Sequence, residues 1–144
     1  MAQPAGKDAL SERRSKGRRL AFVLATGAAL LVMAFLGTCV IIGSGVHSVS
    51  SLAMREYPGD KVGALMALVE SKDRSLRDRN RAIWALGQLG DSRALVVLQK
   101  YYTAKESDEA GGLSQYELKK AIALCQGATN IGAYVWRHGS WGAK

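Results

Sequence analysis

Two cysteines and two histidines in 144 residues leave little material for the commoner kinds of site chemistry. Cys39 lies inside a long apolar run and Cys125 on an apolar helical stripe, so the two are not placed to pair and a disulfide framework is excluded. His47 and His138 have no glutamate at helical spacing, which leaves no paired ligand set for a metal. A phosphate loop and a dinucleotide fingerprint are also lacking: Gly43-Ser44-Gly45 has no third glycine and no helix is expected after it. Ser, Thr and Asp residues occur without the helical or strand context that a catalytic triad needs. Beyond residue 57 no strand alternation is found. No cofactor, no metal and no enzymatic activity are therefore expected. The chain also lacks the length for a large multidomain enzyme, since outside its N-terminal part only roughly 90 to 100 residues remain, enough for one small core.

What is abundant is apolar sequence, and it is unevenly placed. The mean hydropathy of the whole chain is −0.03, yet 19 of the 23 residues from Leu20 to Ile42 are apolar and none is charged. As a helix this stretch reaches about 34 Å, enough for a hydrocarbon core of ~30 Å. It is predicted to be a transmembrane helix. A buried core helix would be shorter, and a cleaved signal peptide would end at a small-x-small site that Gly43 to Ser48 does not supply. A lipoprotein signal at Leu36 to Cys39 fits poorly, because Val40-Ile41-Ile42 prolongs the apolar run.

Charge sets the expected orientation. The first nineteen residues carry a net +4, with Lys7, Arg13, Arg14, Lys16, Arg18 and Arg19 as the topology signal, whereas Gly43 to Glu56 carries only Arg55 as a cation. Positive flanks stay inside. The prediction is a basic cytoplasmic tail (1–19), one span (20–42) and everything beyond it on the outer side of a bacterial cytoplasmic membrane. Within the span, Ala21, Ala25 and Ala29 form a small-residue ridge at which a second helix can pack, giving an oligomer, with a plain lipid-facing anchor as the alternative.

After the span, Gly43 to Ser51 is rich in Gly and Ser, and 43–56 is read as a flexible linker. Four amphipathic helices are predicted over 57–129. Pro58-Gly59-Asp60 starts the first, with Val62, Leu65, Met66 and Val69 on one face. The second carries Leu76, Ile83, Leu86 and Leu89 and ends at Gly90. Asp91 caps the third, which has Leu95, Leu98, Tyr101 and Tyr102. Ser114-Gln115-Tyr116-Glu117 is a capping box for the fourth, whose stripe is Leu118, Ala121, Ile122 and Cys125, with Gly127 as its stop. The first helix repeats as the third at an offset of 30 (residues 63–68 on 93–98). The second repeats as the fourth at an offset of 39 (81–86 on 120–125), the extra nine residues falling in the polar loop Ala104 to Gly112. A period of this size in paired helices predicts an all-α fold, a transmembrane helix followed by a short α-solenoid of about two pairs.

The stretch from Arg81 through Trp84, Gly87, Gly90 and Asp91 to Leu98, RAIWALGQLGDSRALVVL, resembles a HEAT-like repeat of the phycobilin-lyase type. The close resemblance runs from Arg79 to Tyr102, and the whole chain is similar to small single-pass bacterial proteins with a HEAT-like region after the anchor. Such repeats are mostly binding scaffolds, so the resemblance implies fold and says little of chemistry. The di-iron hydroxylase branch of HEAT-repeat proteins would need His-Glu pairs that are missing. A bilin-lyase-like role would use a thiol or carboxylate beside a tetrapyrrole, and Cys125 reads instead as a buried small hydrophobe.

The candidate partner-binding residues fall in two places. Arg74, Arg77 and Arg81 lie near one helical face with Asp78 among them, which reads as a solvated, salt-bridged surface or an inter-repeat ladder, with a site for an acidic partner as the sharper alternative. The tail 130–144 holds Tyr134, Trp136, Arg137 and Trp141, with Ile131, Tyr134 and Trp136 expected to cover the open end of the solenoid and Trp141 to face a partner or the membrane interface. Nucleic acid is not expected, because residues 44–144 carry 14 basic and 10 acidic side chains and lie outside the cytoplasm. The expected partners are the bilayer and another membrane protein, and the expected function is a membrane-anchored, non-catalytic binding or assembly module, an accessory subunit of a larger complex. The alternatives are a lyase-like enzyme or chaperone and a self-associating anchor.

Overall fold

The computed structural model describes residues 5–104 and 112–138, with side chains for 17–104 and 112–137. The described residues form six α-helices and no strand: α1 (Ala5–Glu56), α2 (Lys61–Glu70), α3 (Leu76–Leu89), α4 (Leu95–Tyr101), α5 (Gln115–Cys125) and α6 (Ile131–His138), with a 3₁₀ turn, Ser92–Ala94, leading into α4. The chain divides into two compact units, residues 1–38 and 39–144.

The first unit is the N-terminal part of α1. Its apolar side chains are exposed, Phe22 and Leu31 at 74% each, and none of the most apolar window is buried. Thr26 and Thr38 return their hydroxyls to the carbonyls of Phe22 and Ala34, so no polar group of theirs is left bare on that surface. One helix of the described chain is thus long and apolar enough to cross a membrane. Ala21, Ala25 and Ala29 are exposed, as are Arg18 and Arg19. The side chains of Lys7, Arg13, Arg14 and Lys16 lie outside the described residues.

The second unit corrects one expectation. Residues 43–56, predicted as a flexible linker, are helical and form part of the core. Val46, Val49, Ser50 and Ala53 are all buried, on the i, i+3, i+4, i+7 face of the helix. Of the glycines that suggest a spacer, Gly45 is a site of close approach and Gly43 one of ordinary contact. A Cβ on Gly45 would lie 3.1 Å from the indole of Trp84, and one on Gly43 would lie 3.5 Å from Trp136 Cβ. A helical glycine costs up to about 1 kcal/mol, and tertiary packing of this kind outweighs it.

Side-chain caps start α2, α3 and α5, and Asp91, expected to cap α4, caps the 3₁₀ turn that leads into it. Asp60 accepts from the Gly63 N–H at 2.9 Å, Ser75 from Asp78 at 3.1 Å, Asp91 from Arg93 at 2.9 Å and Ser114 from Glu117 at 3.4 Å. Gly90 ends α3 at φ 63°, and Gly127 follows α5 at φ 99°. The core of Leu65, Leu68, Ile83, Leu86, Leu98 and Leu118 is fully buried, and each such side chain contributes about 1.5–3 kcal/mol.

The two sequence offsets reappear as neighbours in space. Thirty residues apart, Lys100 donates to Glu70 at 2.6 Å, joining the ends of α4 and α2. Thirty-nine apart, the Cys125 thiol reaches the Leu86 carbonyl at 3.6 Å, joining α5 to α3. At the other ends of α2 and α4, Arg93 bridges both caps, 2.7 Å from Asp60 and 2.8 Å from Asp91. The helices therefore stack as two pairs, α2 with α3 and α4 with α5, in which α3 packs against α2, α5 and α6. Gln115 holds the two sides of the 105–111 segment together, accepting from Thr103 N at 2.9 Å and donating to the carbonyls of Tyr101 and Leu113.

A Cβ at Gly87 would fall 2.8 Å from Ala121 Cα, so α3 and α5 cross with no space for one. Gly87→Ala is expected to cost ~1–3 kcal/mol in urea unfolding of the detergent-solubilised chain, whereas Gly27→Ala, with nothing within 4 Å, leaves the midpoint unchanged. The caps impose an acid limit. The Asp60 carboxyl is held below 3.8 by the Gly63 N–H and then by Arg93, and that of Asp91 by the Arg93 guanidinium and then its N–H. Both bind protons less readily folded than unfolded, so their contribution is complete above 3.8 and is lost as pH falls through the lower folded values. The Tm is expected to drop in that acid range and, in Arg93→Gln, to drop less steeply.

Candidate functional site

A basic groove lies on one side of α1 and α3. On α1, His47, Ser51 and Arg55 recur every four residues and share a face, with Ser48 and Leu52 beside them. Arg81 of α3 joins them, and together these residues line an open groove of about 470 Å³. Ser51 Oγ lies 3.4 Å from His47 Nδ1. Arg77, one turn before Arg81 on α3, is also exposed.

Five of the seven described carboxylates of this unit are held in ion pairs away from the groove, while Asp73 and Asp78, which flank Arg77 in sequence, are not. Glu56 pairs with Arg74, Asp60 and Asp91 with Arg93, Glu70 with Lys100, and Glu117 with Lys120, while Asp78 accepts from the Ser75 hydroxyl at 2.8 Å. Arg79 donates to the Val69 carbonyl at 2.8 Å and lies over the Tyr101 ring. Arg55, Arg77 and Arg81 have no such pair among the described residues.

The predicted site residues therefore separate. Arg74, expected beside Arg77 and Arg81, is paired with Glu56, and the Tyr57 hydroxyl and then Glu56 hold its pKa up. Arg137, expected at a partner surface, serves the fold instead: its guanidinium donates to the Gln88 carbonyl at the end of α3, with Nε at 2.9 Å, and would meet any side chain on Gly90. Trp136 is partly buried against the core, its indole N–H without a partner among the described residues. Trp141 lies outside the described residues. Of the three residues expected to cover the solenoid end, Trp136 does so, but Ile131 and Tyr134 are 67% and 66% exposed and Ala133 takes the buried position.

Sequence reasoning missed His47, Ser51 and Arg55 because the linker reading hid their common face. It also missed Gln88, buried, which accepts from Asn130 Nδ2 at 3.1 Å while its carbonyl holds Arg137, so one residue fixes both ends of α6. A polar residue among RAIWALGQLG was the available signal.

Cys125 is buried, and desolvation pushes its thiol up to about 11, which keeps it protonated at neutral pH. No group of three His, Cys, Asp or Glu side chains is placed to hold a metal ion among the described residues.

The model of the PBS lyase HEAT-like repeat family matches residues 78–103, which takes in α3 after its first residues, the Gly90-Asp91 turn and α4. No curated protein and no solved structure matches the chain.

Proposed function

We propose that the chain is a membrane-anchored, non-catalytic assembly module that binds an acidic surface of a partner protein through the groove of Arg55, Arg81, His47 and Ser51, with Arg77 extending it. The HEAT-like repeat supports an interaction module, and the single observation that carries the reading is that Arg55, Arg77 and Arg81 make no ion pair among the described residues, in a unit where five of the seven described acids are paired with other cations. A neutral solvated face would have its charges interspersed.

The distance from the apolar run favours protein over lipid. If hydrocarbon ends near Ile42, Arg55 stands thirteen residues on, about 20 Å along the helix, whereas the headgroup layer is only ~5–7 Å deep. Arg55 and the Arg81 beside it are then beyond phospholipid phosphates and within reach of a neighbouring membrane protein's outer surface. On this reading the basic residues before the span, Arg13, Arg14, Lys16, Arg18 and Arg19, stay in the cytoplasm of a bacterial cell and the helical unit lies outside it. The lyase-like alternative is supported only by the name of the matched repeat family, and Cys125, a buried thiol, supplies no thiolate for it. Self-association through Ala21, Ala25 and Ala29 predicts oligomers that survive deletion of the helical unit.

Two measurements test the reading. Arg55→Glu with Arg81→Glu, both at exposed sites, is expected to abolish cross-linked and co-purified partner in solubilised membranes while leaving helix content and Tm unchanged; retention of the same partner at wild-type yield defeats the groove assignment. A reporter enzyme active only outside the cytoplasm, fused after Lys144, is expected to be active, and a stable but inactive fusion reverses the orientation.

A further inference from the structure

Helix α6 leaves an unexplained surface. Sixteen consecutive residues, Ala121 to Trp136, contain no Asp, Glu, Lys or Arg, and they end in α6. Ala133 is buried and Trp136 half-buried against the core, while Ile131 and Tyr134, three residues apart on the other side of the helix, are exposed. The side of α6 that carries Ile131 and Tyr134 is apolar up to the end of the helix, where Arg137 and His138 follow.

Its position in the fold says what faces it. A Cβ on Gly132 would lie 4.0 Å from Ile42 Cδ1, and one on Gly43 would lie 3.5 Å from Trp136 Cβ, so one turn of α6 sits at the level of Ile42 and Gly43 of α1. That is where the uninterrupted apolar run ends. In this unit α1 itself still presents bare apolar side chains there, Val40 at 49% and Ile41 at 72% exposure. The apolar surface of α6 therefore continues that of α1 at one level. The polar fixings of α6 point the other way, through Asn130 to the Gln88 side chain and Arg137 to the Gln88 carbonyl.

We propose that α6 lies in the headgroup layer of the bilayer that α1 crosses, with Ile131 and Tyr134 inserted at the boundary of headgroups and acyl chains. Ile, Tyr and a neighbouring Trp are the residue types that occupy this layer, and an apolar helix face settles ~5–10 Å into it. The inference rests on the membrane-spanning reading of α1 and is independent of the arginine groove. Besides covering α3, α6 then sets the depth at which the helical unit rides on the lipid.

The test places an environment-sensitive dye on single cysteines of the full chain in phosphatidylcholine and phosphatidylglycerol vesicles: Ile131→Cys, Tyr134→Cys, Val96→Cys on the exposed side of α4, and Leu31→Cys in the apolar run. Native Cys39 and Cys125 are buried, and unsubstituted protein serves as the labelling blank. Dyes at 131 and 134 are expected to be quenched several-fold more by lipids with a nitroxide near the headgroup than the dye at 96, and several-fold less by aqueous iodide. Equal iodide quenching at 131 and 96 overturns the proposal, because α6 then faces water. Shielding from both quenchers overturns it in favour of a protein contact, with a second copy or a partner covering α6. The dye at 31 separates the two readings: quenching by nitroxide deep in the acyl chains with no lipid quenching at 131 and 134 defeats the α6 placement alone, whereas no deep quenching at 31 defeats the span and the α6 placement with it.

Discussion

The helical unit depends on one constraint, the burial of α3 over its second half. Ala82, Ile83, Ala85, Leu86, Gly87 and Gln88 are all buried, six of seven consecutive residues, so the second half of α3 is the centre on which α2, α5 and α6 pack, while Arg77 and Arg81 leave its first half open to solvent. Burial of this extent requires small residues wherever a neighbour approaches. Gly87 admits α5, and Gly45 of α1 admits the Trp84 ring of α3. Interior packing is dense enough that an added methyl at Gly87 meets the Ala121 backbone and one at Gly45 meets the Trp84 ring. The backbone carbonyls at helix ends then need donors, and arginine supplies them twice: Arg79 at the end of α2 and Arg137 at the end of α3.

Much of this arrangement is written locally, which is why it is legible in the sequence. Asp60, Ser75, Asp91 and Ser114 cap helices because their short polar side chains reach backbone N–H groups of the next turn, and Gly90 and Gly127 end them because they take positive φ. The repeat offsets are legible for a different reason. Equivalent helices stack, so Glu70 meets Lys100 and Leu86 meets Cys125, and a sequence period becomes a spatial one.

What escapes a sequence reading is decided between distant segments. Gly43 to Ser51 has the composition of a spacer, and only the indoles of Trp84 and Trp136 make its glycines useful in a helix. Without that helix the recurrence of His47, Ser51 and Arg55 has no face to lie on, so only the α3 members of the basic groove stand out in the sequence. Arg74 and Arg81 show the same limit. Their spacing makes them one cluster, yet Glu56 draws Arg74 away while Arg81 keeps no carboxylate, a distinction that depends on where α1 ends. The apolar character of Ile131 and Tyr134 points to the core, but Ala133 fills the position that α6 offers it.

The Gln115 side chain, which bonds to Thr103, Tyr101 and Leu113, has a bearing on the history of the chain. It ties the two ends of the 105–111 segment to each other, so the register of α4 against α5 is set without reference to how many residues lie between. Doubling the length of such a closed segment costs only about 0.6 kcal/mol in chain entropy. The difference between the offsets of 30 and 39 is therefore the kind of change the fold absorbs cheaply, and the segment is the natural place for insertions and deletions to accumulate as copies of the gene diverge.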